Sequence, residues 1–470
     1  MIERLMRTVI PTLLLSALLF GCTTYHHPFV EVDEQARNGN FGAAAKKLSG
    51  EDKDDFYSDK DKVLYYLDLG MLYHYDRQWQ KSSEHFEEAE ILIEEYFTKS
   101  ISQAASSLLL NDTAMDYAGE DYEDIYLNVF KAINYIREDE FDGAFVEIRR
   151  VNNKLNLLED KYKELAEEYS SSDEAEIDIE TGESRFYNSA LARYLSMLIY
   201  RADGNYDSAR IDYQGMQEAF ARQSNIYDFP LPLDEEVLEK PEGAKLSILA
   251  FTGESPIKRA TTFRIVTYDN RLEISTGGET DMGEMELTSY NNIPWPGMEG
   301  GYRFKFQVPR MESRGSEVKR IRVLLDGTPL GEVKKLESIQ KVANETFSVK
   351  LPLIYLKSIS RTVIKGLVAQ KGKEKMRDAG SSSGSALGIA AGIIGSIATD
   401  VAVEASERAD LRMARYFPAF AHVGEWDVPE GSHRVQVEFY GRNGLLVKRD
   451  LGNVDISEGE ANLLTAYYPK

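Results

Sequence analysis

The side chains with most to offer to catalysis or metal binding in this 470-residue chain are six histidines, His26, His27, His74, His85, His422 and His433, and one cysteine, Cys22. Zinc sites favour histidines about three to five residues apart with a further ligand close by, and no pair here has that spacing. The glycines over residues 384–395 are not followed by the Lys-Ser/Thr of a phosphate-binding loop. Asp173, Glu174, Glu176, Asp178 and Glu180 supply carboxylates but not the glycine and alternating oxygens of an EF-hand, so a solvated loop is the simpler reading. Asp410 and Arg412 read as an ion pair that orients a helix-to-strand junction. A hydrolase of cell-wall polymer needs two carboxylates facing across a cleft, which are brought together in space and leave no mark in sequence. No catalytic residue, cofactor or metal site is therefore expected, and the chain reads as non-enzymatic.

The position of Cys22 says more than its chemistry. Residues 1–7 carry two arginines against one glutamate, residues 9–20 are almost wholly apolar, and Gly21 precedes the cysteine. This is the layout of a secretory signal, and its apolar run of about 12 residues is too short for the roughly 20 that cross a bilayer as a helix. Leu19-Phe20-Gly21-Cys22 resembles the lipobox of bacterial lipoproteins, which implies cleavage between Gly21 and Cys22 and acylation of Cys22. The acylated sulfur would then be no nucleophile. Several acyl chains hold a protein on a membrane far more firmly than one. Thr23 stands where an aspartate would favour the inner membrane, so the expected address is the periplasmic face of a Gram-negative outer membrane. No second cysteine exists to pair with Cys22, and stability must come from packing.

The chain is 43% hydrophobic, enough for two or three domains with cores of their own. Its formal charge of −23 is unevenly placed: residues 23–240 carry 22 basic and 48 acidic side chains, residues 241–470 carry 31 and 29. An acidic first half excludes a nucleic-acid partner and resists lying on anionic lipid. Most of these acids read as solvated helix faces.

Residues 29–228 contain no proline, and apolar residues recur there at helical spacing. Tyr66-x-x-Leu69-Gly70-x-x-Tyr73 followed by Ser82-x-x-x-Phe86-x-x-Ala89 matches the tetratricopeptide pattern, in which small residues let paired helices approach and aromatic ones fill the space between turns. Weaker copies place Ala44, Ala144 and Ala209 at the small positions. Their spacing is irregular, with extra helices expected near 97–118 and 152–168. Such a solenoid offers a curved surface to a peptide or protein.

Prolines in residues 229–243 mark a linker, and from 244 the hydrophobic period becomes two. Strands are expected at 244–251, 263–268, 302–308, 318–325, 435–439 and 445–447, with turns at Asp326-Gly327 and Asn443-Gly444. These predict one β-sandwich over 244–470, interrupted by a helical insertion at about 351–410. The insertion carries a basic helix and then Gly384, Gly388, Gly392 and Ser396, small residues every fourth position that form a groove along a helix. An intramolecular hairpin is the default reading, with self-association between copies and membrane insertion as alternatives. The expected fold is thus α+β multidomain: a tetratricopeptide-like all-α repeat followed by a β-sandwich-like domain.

Glu407-Arg408-Ala409-Asp410-Leu411-Arg412, Phe417-Pro418 and Pro429-x-Gly431, with Ser360-Arg361-x-x-x-Lys365 and Gly119-Glu120-Asp121-Tyr122-Glu123 upstream, resemble an uncharacterised family of tetratricopeptide-containing bacterial outer-membrane lipoproteins. The resemblance implies an envelope location and carries no activity or substrate. The resulting expectation is a lipid-anchored scaffold that binds one or more envelope proteins, attached to membrane only through its N-terminal lipid. The alternative is an oligomeric export or pore component built on the glycine-rich helix of residues 384–399.

Overall fold

The computed structural model describes residues 29–50, 53–102, 111–170, 181–241, 243–279, 285–294, 299–378 and 408–470. The signal and lipidation residues, including Gly21 and Cys22, the acidic loop over 173–180, and Gly384, Gly388, Gly392 and Ser396 lie outside them. The first half is helical: α1 (Val30–Arg37), α2 (Phe41–Leu48), α3 (Lys62–Tyr75), α4 (Trp79–Ser102), α5 (Asp121–Arg137), α6 (Phe141–Ser170), α7 (Ala190–Ala202) and α8 (Tyr206–Arg222). Consecutive helices pack as pairs. The extra helix expected near 152–168 is no separate element, because α6 runs unbroken to Ser170; of the one expected near 97–118, α4 covers the start to Ser102, and residues 103–110 lie outside the described residues. Pair turns use left-handed residues, Arg77, Asp139 and Gly204, where a helix must reverse at once.

The second half is mostly sheet. Strands β1 (Ala244–Thr252), β6 (Arg320–Leu325), β7 (Thr328–Glu337), β8 (Phe420–Val428), β9 (Gly431–Gly441), β10 (Gly444–Ile456) and β11 (Leu463–Tyr468) form one sheet of order β10-β9-β6-β7-β8-β1-β11. β1 pairs parallel with β11 and antiparallel with β8. β2 (Ile257–Tyr268), β3 (Arg271–Glu279), β4 (Met285–Pro294) and β5 (Arg303–Glu312) form a separate sheet of order β4-β3-β2-β5.

The expected sandwich gives way to a different arrangement. The seven-stranded sheet curls until β10 approaches β11 and encloses its own core of Leu246, Ile248, Val323, Val437, Phe439 and Tyr468. It is a nearly closed, barrel-like sheet. The four-stranded sheet turns instead toward a helix, α9 (Ile339–Asp378), packing Phe263, Ile265 and Phe306 on Ile359 and Val363. α9 begins at Ile339, well before the expected 351, and its first seven or so turns are a central strut. Val342, Ala343 and Phe347 join the helical core, Val349 and Leu353 meet α6, and Ile359 and Val363 meet the small sheet. A helix buried on several sides shows no single apolar stripe, which is why its start was not legible.

The two halves share one core. On β1, Leu249 and Phe251 face the helices while Leu246, Ile248 and Ala250 face the barrel interior, so both faces are buried and the strand reads as a continuous apolar run. Phe130 of α5 packs on Phe251 at 5.2 Å and Phe417 at 6.0 Å between ring centroids. Tyr75 of α3 stacks on Tyr467 of β11 at 3.8 Å. Residues 229–243, read from sequence as a linker, contribute Leu233 and Val237 to the same core.

Candidate partner-binding groove

On α3 and α4, Gly70 and Phe86 meet so closely that a Cβ on Gly70 would lie 2.6 Å from the ring, and Ser82 Oγ donates to the Gly70 carbonyl at 2.8 Å. Leu69, Phe86, Ala89, Ala144 and Ala209 are buried, whereas Tyr66 and Tyr73 lie half-buried against His85. His26 and His27 lie outside the described residues, and the four described histidines stay apart. His74 is buried beside Asn134 at 2.7 Å and is pushed down to about 4 by burial; His422 is pushed down to about 3, by burial and then by Lys335. His433 pairs with Asp326. No group of metal-ligating side chains occurs among the described residues.

Buried carboxylates occur where the halves join, and each is held by structural partners. Glu337 of β7 accepts from Tyr126, Tyr227, Ser189 and the Leu191 amide. Glu425 of β8 accepts from Arg201 at 2.6 and 2.7 Å and from Tyr194. The segment 408–419 is threaded between helices and sheets in the same way. Asp68 receives the Arg415 amide and Glu123 the Ala414 amide, while Arg412 grips Asp410, Asp61 and the carbonyls of Asp112 and Met115. Asp410 and Arg412 are thus a joint. Glu120 and Glu123, three apart at the start of α5, are the nearest thing to a carboxylate pair. Lys258 and Lys350 hold Glu120, and Tyr117 and two amides hold Glu123, in a network whose cations and anions nearly balance around a cavity of about 190 Å³.

The open concavity lies elsewhere. α3, α5 and α7 turn their inner faces to β1, β7 and β11, so the inner side of the helical region is covered by the chain's own sheet and by Phe417. On the outside, α4 and α6 flank α5 and leave a groove. It has one part of about 460 Å³ and another of about 830 Å³, joined at Glu87 and Arg150. Its floor is a charged lattice. Lys131 of α5, 1% exposed, reaches Glu87, Glu90 and Glu147. Lys154 bridges Glu90 at 2.8 Å and Asp124 at 2.7 Å, and Lys161 meets Asp121 at 2.8 Å. Burial would raise the Glu90 carboxyl, but Lys154 and Lys131 overcome it and bring it down to about 2. These cations are spent inside the wall.

The rim is different at its two ends. At one, Ile91 on α4 is 51% exposed and Leu157 on α6 is 59% exposed, facing each other over Phe97 and Leu158. At the other, Glu84 and Glu88 on α4 face Glu138 and Glu140 in the turn before α6, and none of the four has an ion-pair partner among the described residues. Burial, and then Glu140, push the Glu138 carboxyl up. No family model, curated protein or solved structure matches this chain. No helix of the described residues is long and apolar enough to cross a membrane.

This groove was not legible in the sequence, where most acids of residues 23–240 read as solvated helix faces; the signal that could have exposed it was the aliphatic pair Ile91 and Leu157 at positions that helical periodicity assigns to solvent.

Proposed function

We propose that the chain is a lipid-anchored, periplasm-facing scaffold of the outer membrane that binds a partner protein through the outer groove of its helical half, with no chemistry of its own. In this reading Cys22 carries the lipid, the helical pairs are tetratricopeptide-like units, and the barrel-like sheet with α9 holds them rigid. The observation that supports it best is the division of the helical surface: the inner face is filled by the chain's own sheet, and an open, unevenly charged groove remains outside. A rigid surface with a preformed concavity loses little freedom on binding.

The test has two arms. Radiolabelled palmitate should enter the parent and not Cys22→Ser, and the labelled protein should fractionate with outer membrane. After cross-linking in intact cells, the solubilised protein should be recovered with a constant partner. A chain that is never acylated, or that always comes alone, would refute the reading.

A further inference from the structure

We propose that the outer groove takes a basic, amphipathic segment of the partner protein, with its apolar residues seated between Ile91 and Leu157 and its lysines or arginines lying among Glu84, Glu88 and Glu140. This rests on the scaffold reading above and adds the occupant's chemistry and direction.

Charge carries the first step. Ten carboxylates and three cations line the two parts of the groove, and the cations Arg150, Lys154 and Lys161 are bound to carboxylates of the wall. The field that reaches an approaching segment is negative, and it is strongest where the four unpaired glutamates stand. A second copy of this chain would bring the same acidic helices against it, and like charges facing each other oppose that contact. Nucleic acid is opposed by the same field.

Apolar exposure carries the second step. Ile91 and Leu157 are large exposed aliphatic side chains on facing helices, and with Ile93, Phe97, Ile125 and Leu158 they give this end of a largely charged groove an apolar strip. Covering them is favourable in proportion to the apolar area removed from water. Dimension carries the third. From Glu84 to Phe97 the groove follows α4 for about 20 Å, which accommodates about six residues of extended chain or about thirteen of helix. A single segment therefore spans both ends at once, and the separation of apolar and acidic ends fixes its polarity.

The experiment places a photo-reactive residue at Leu157, at Glu84 or, outside the groove lining, at Ile211, which is 64% exposed on α8, in cells making the full lipid-anchored chain. Adducts are digested and the attached peptide is sequenced. Adducts from positions 157 and 84 are expected on one segment, at an aliphatic or aromatic residue from 157 and beside lysines or arginines from 84. Glu84→Lys, Glu88→Lys and Glu140→Lys together should cut the adduct yield from position 157 about tenfold, with thermal unfolding unchanged because all three are exposed. A neutral or acidic segment, an adduct with a second copy, or a yield unmoved by charge reversal overturns the proposal. Adducts at 211 alone keep the scaffold and remove the groove, whereas no adduct at any site, with the protein recovered alone, removes both.

Discussion

Replacing Asp68 by asparagine is expected to stabilise the protein at pH 8 and to leave it nearly unchanged at pH 5. Asp68 is fully buried on α3, accepting from Tyr57 Oη and from the Arg415 amide, both at 2.6 Å. Burial pushes its carboxyl up to about 7, against the lowering effect of those two hydrogen bonds. In the unfolded chain the same group titrates near 3.8. Between the two values the folded protein holds a proton that the unfolded one has released, so this contribution to stability is complete at low pH and is lost as pH rises through about 7. At about 1.4 kcal/mol per pH unit the loss reaches about 4 kcal/mol at pH 8 and about 1.5 kcal/mol at pH 5.

Asparagine has the same shape and cannot ionise. Its carbonyl keeps the Arg415 amide and its amide nitrogen donates to Tyr57 Oη, but one amide hydrogen is left without an acceptor, at about 1–2 kcal/mol. The expected net change is a gain of about 2–3 kcal/mol at pH 8 and about zero at pH 5. Urea denaturation followed by circular dichroism at both pH values measures it. An asparagine variant clearly less stable than the parent at pH 8 would mean that the folded protein stabilises the Asp68 anion through Arg415, and the reasoning from burial would fail.

Glu123, like Asp68, is pushed up to about 7, by burial and then by Glu120, while Glu90 and Glu438 are drawn down to about 2, so the parent should be most stable near pH 4.5, losing stability above it through the raised groups and below it through the lowered ones; a denaturation series over pH 3 to 9 checks the maximum. Gly70→Ala should destabilise by about 1–3 kcal/mol despite the better helix propensity of alanine, because the new Cβ meets the buried Phe86 ring, and a thermal scan reads the loss. Arg201→Met leaves Glu425 buried and unpaired and should cost about 3–5 kcal/mol in urea denaturation. A fragment of residues 29–241 should bind hydrophobic dye and unfold without a cooperative transition, since it exposes Tyr126 and Phe130; a cooperative monomer would refute a shared core.

What could be read in advance follows local physics. Helical periodicity located the paired helices, and the small residues Gly70, Ser82 and Ala89 fall where α3 and α4 touch. Strict alternation located β5 and β9, Asp326-Gly327 falls at a hairpin turn, and the turn expected at Asn443-Gly444 lies one residue earlier, at Arg442-Asn443. β3, β4, β7, β8 and β11 were not assigned. β7 and β8 carry mixed faces, because one side meets the helices and the other the barrel, and β11 has only six residues. The expectation of two separate domains rested on a change of period at residue 244; nothing in that change says whether the two patterns bury against themselves or against each other, and they share one core. The curl of a seven-stranded sheet and the placing of α9 depend on contacts hundreds of residues apart, such as Tyr75 with Tyr467.

Three of the stretches that suggested a lipoprotein family work at this joint. Glu120 and Glu123 close the start of α5 with a reciprocal cap, Asp410 and Arg412 tie the threaded segment to the loop before α5, and Phe417 wedges between Tyr122 and Phe130. Residues so committed are poor candidates for choosing a partner, because changing any of them loosens the core before it alters a surface. Glu84, Glu88, Glu140, Ile91 and Leu157 lie outside those stretches and support nothing beneath them, so they can change with a partner at little cost in stability. The architecture therefore separates what holds the helices to the sheet from what a partner would meet, and the rim of the outer groove is where differences in binding should be sought.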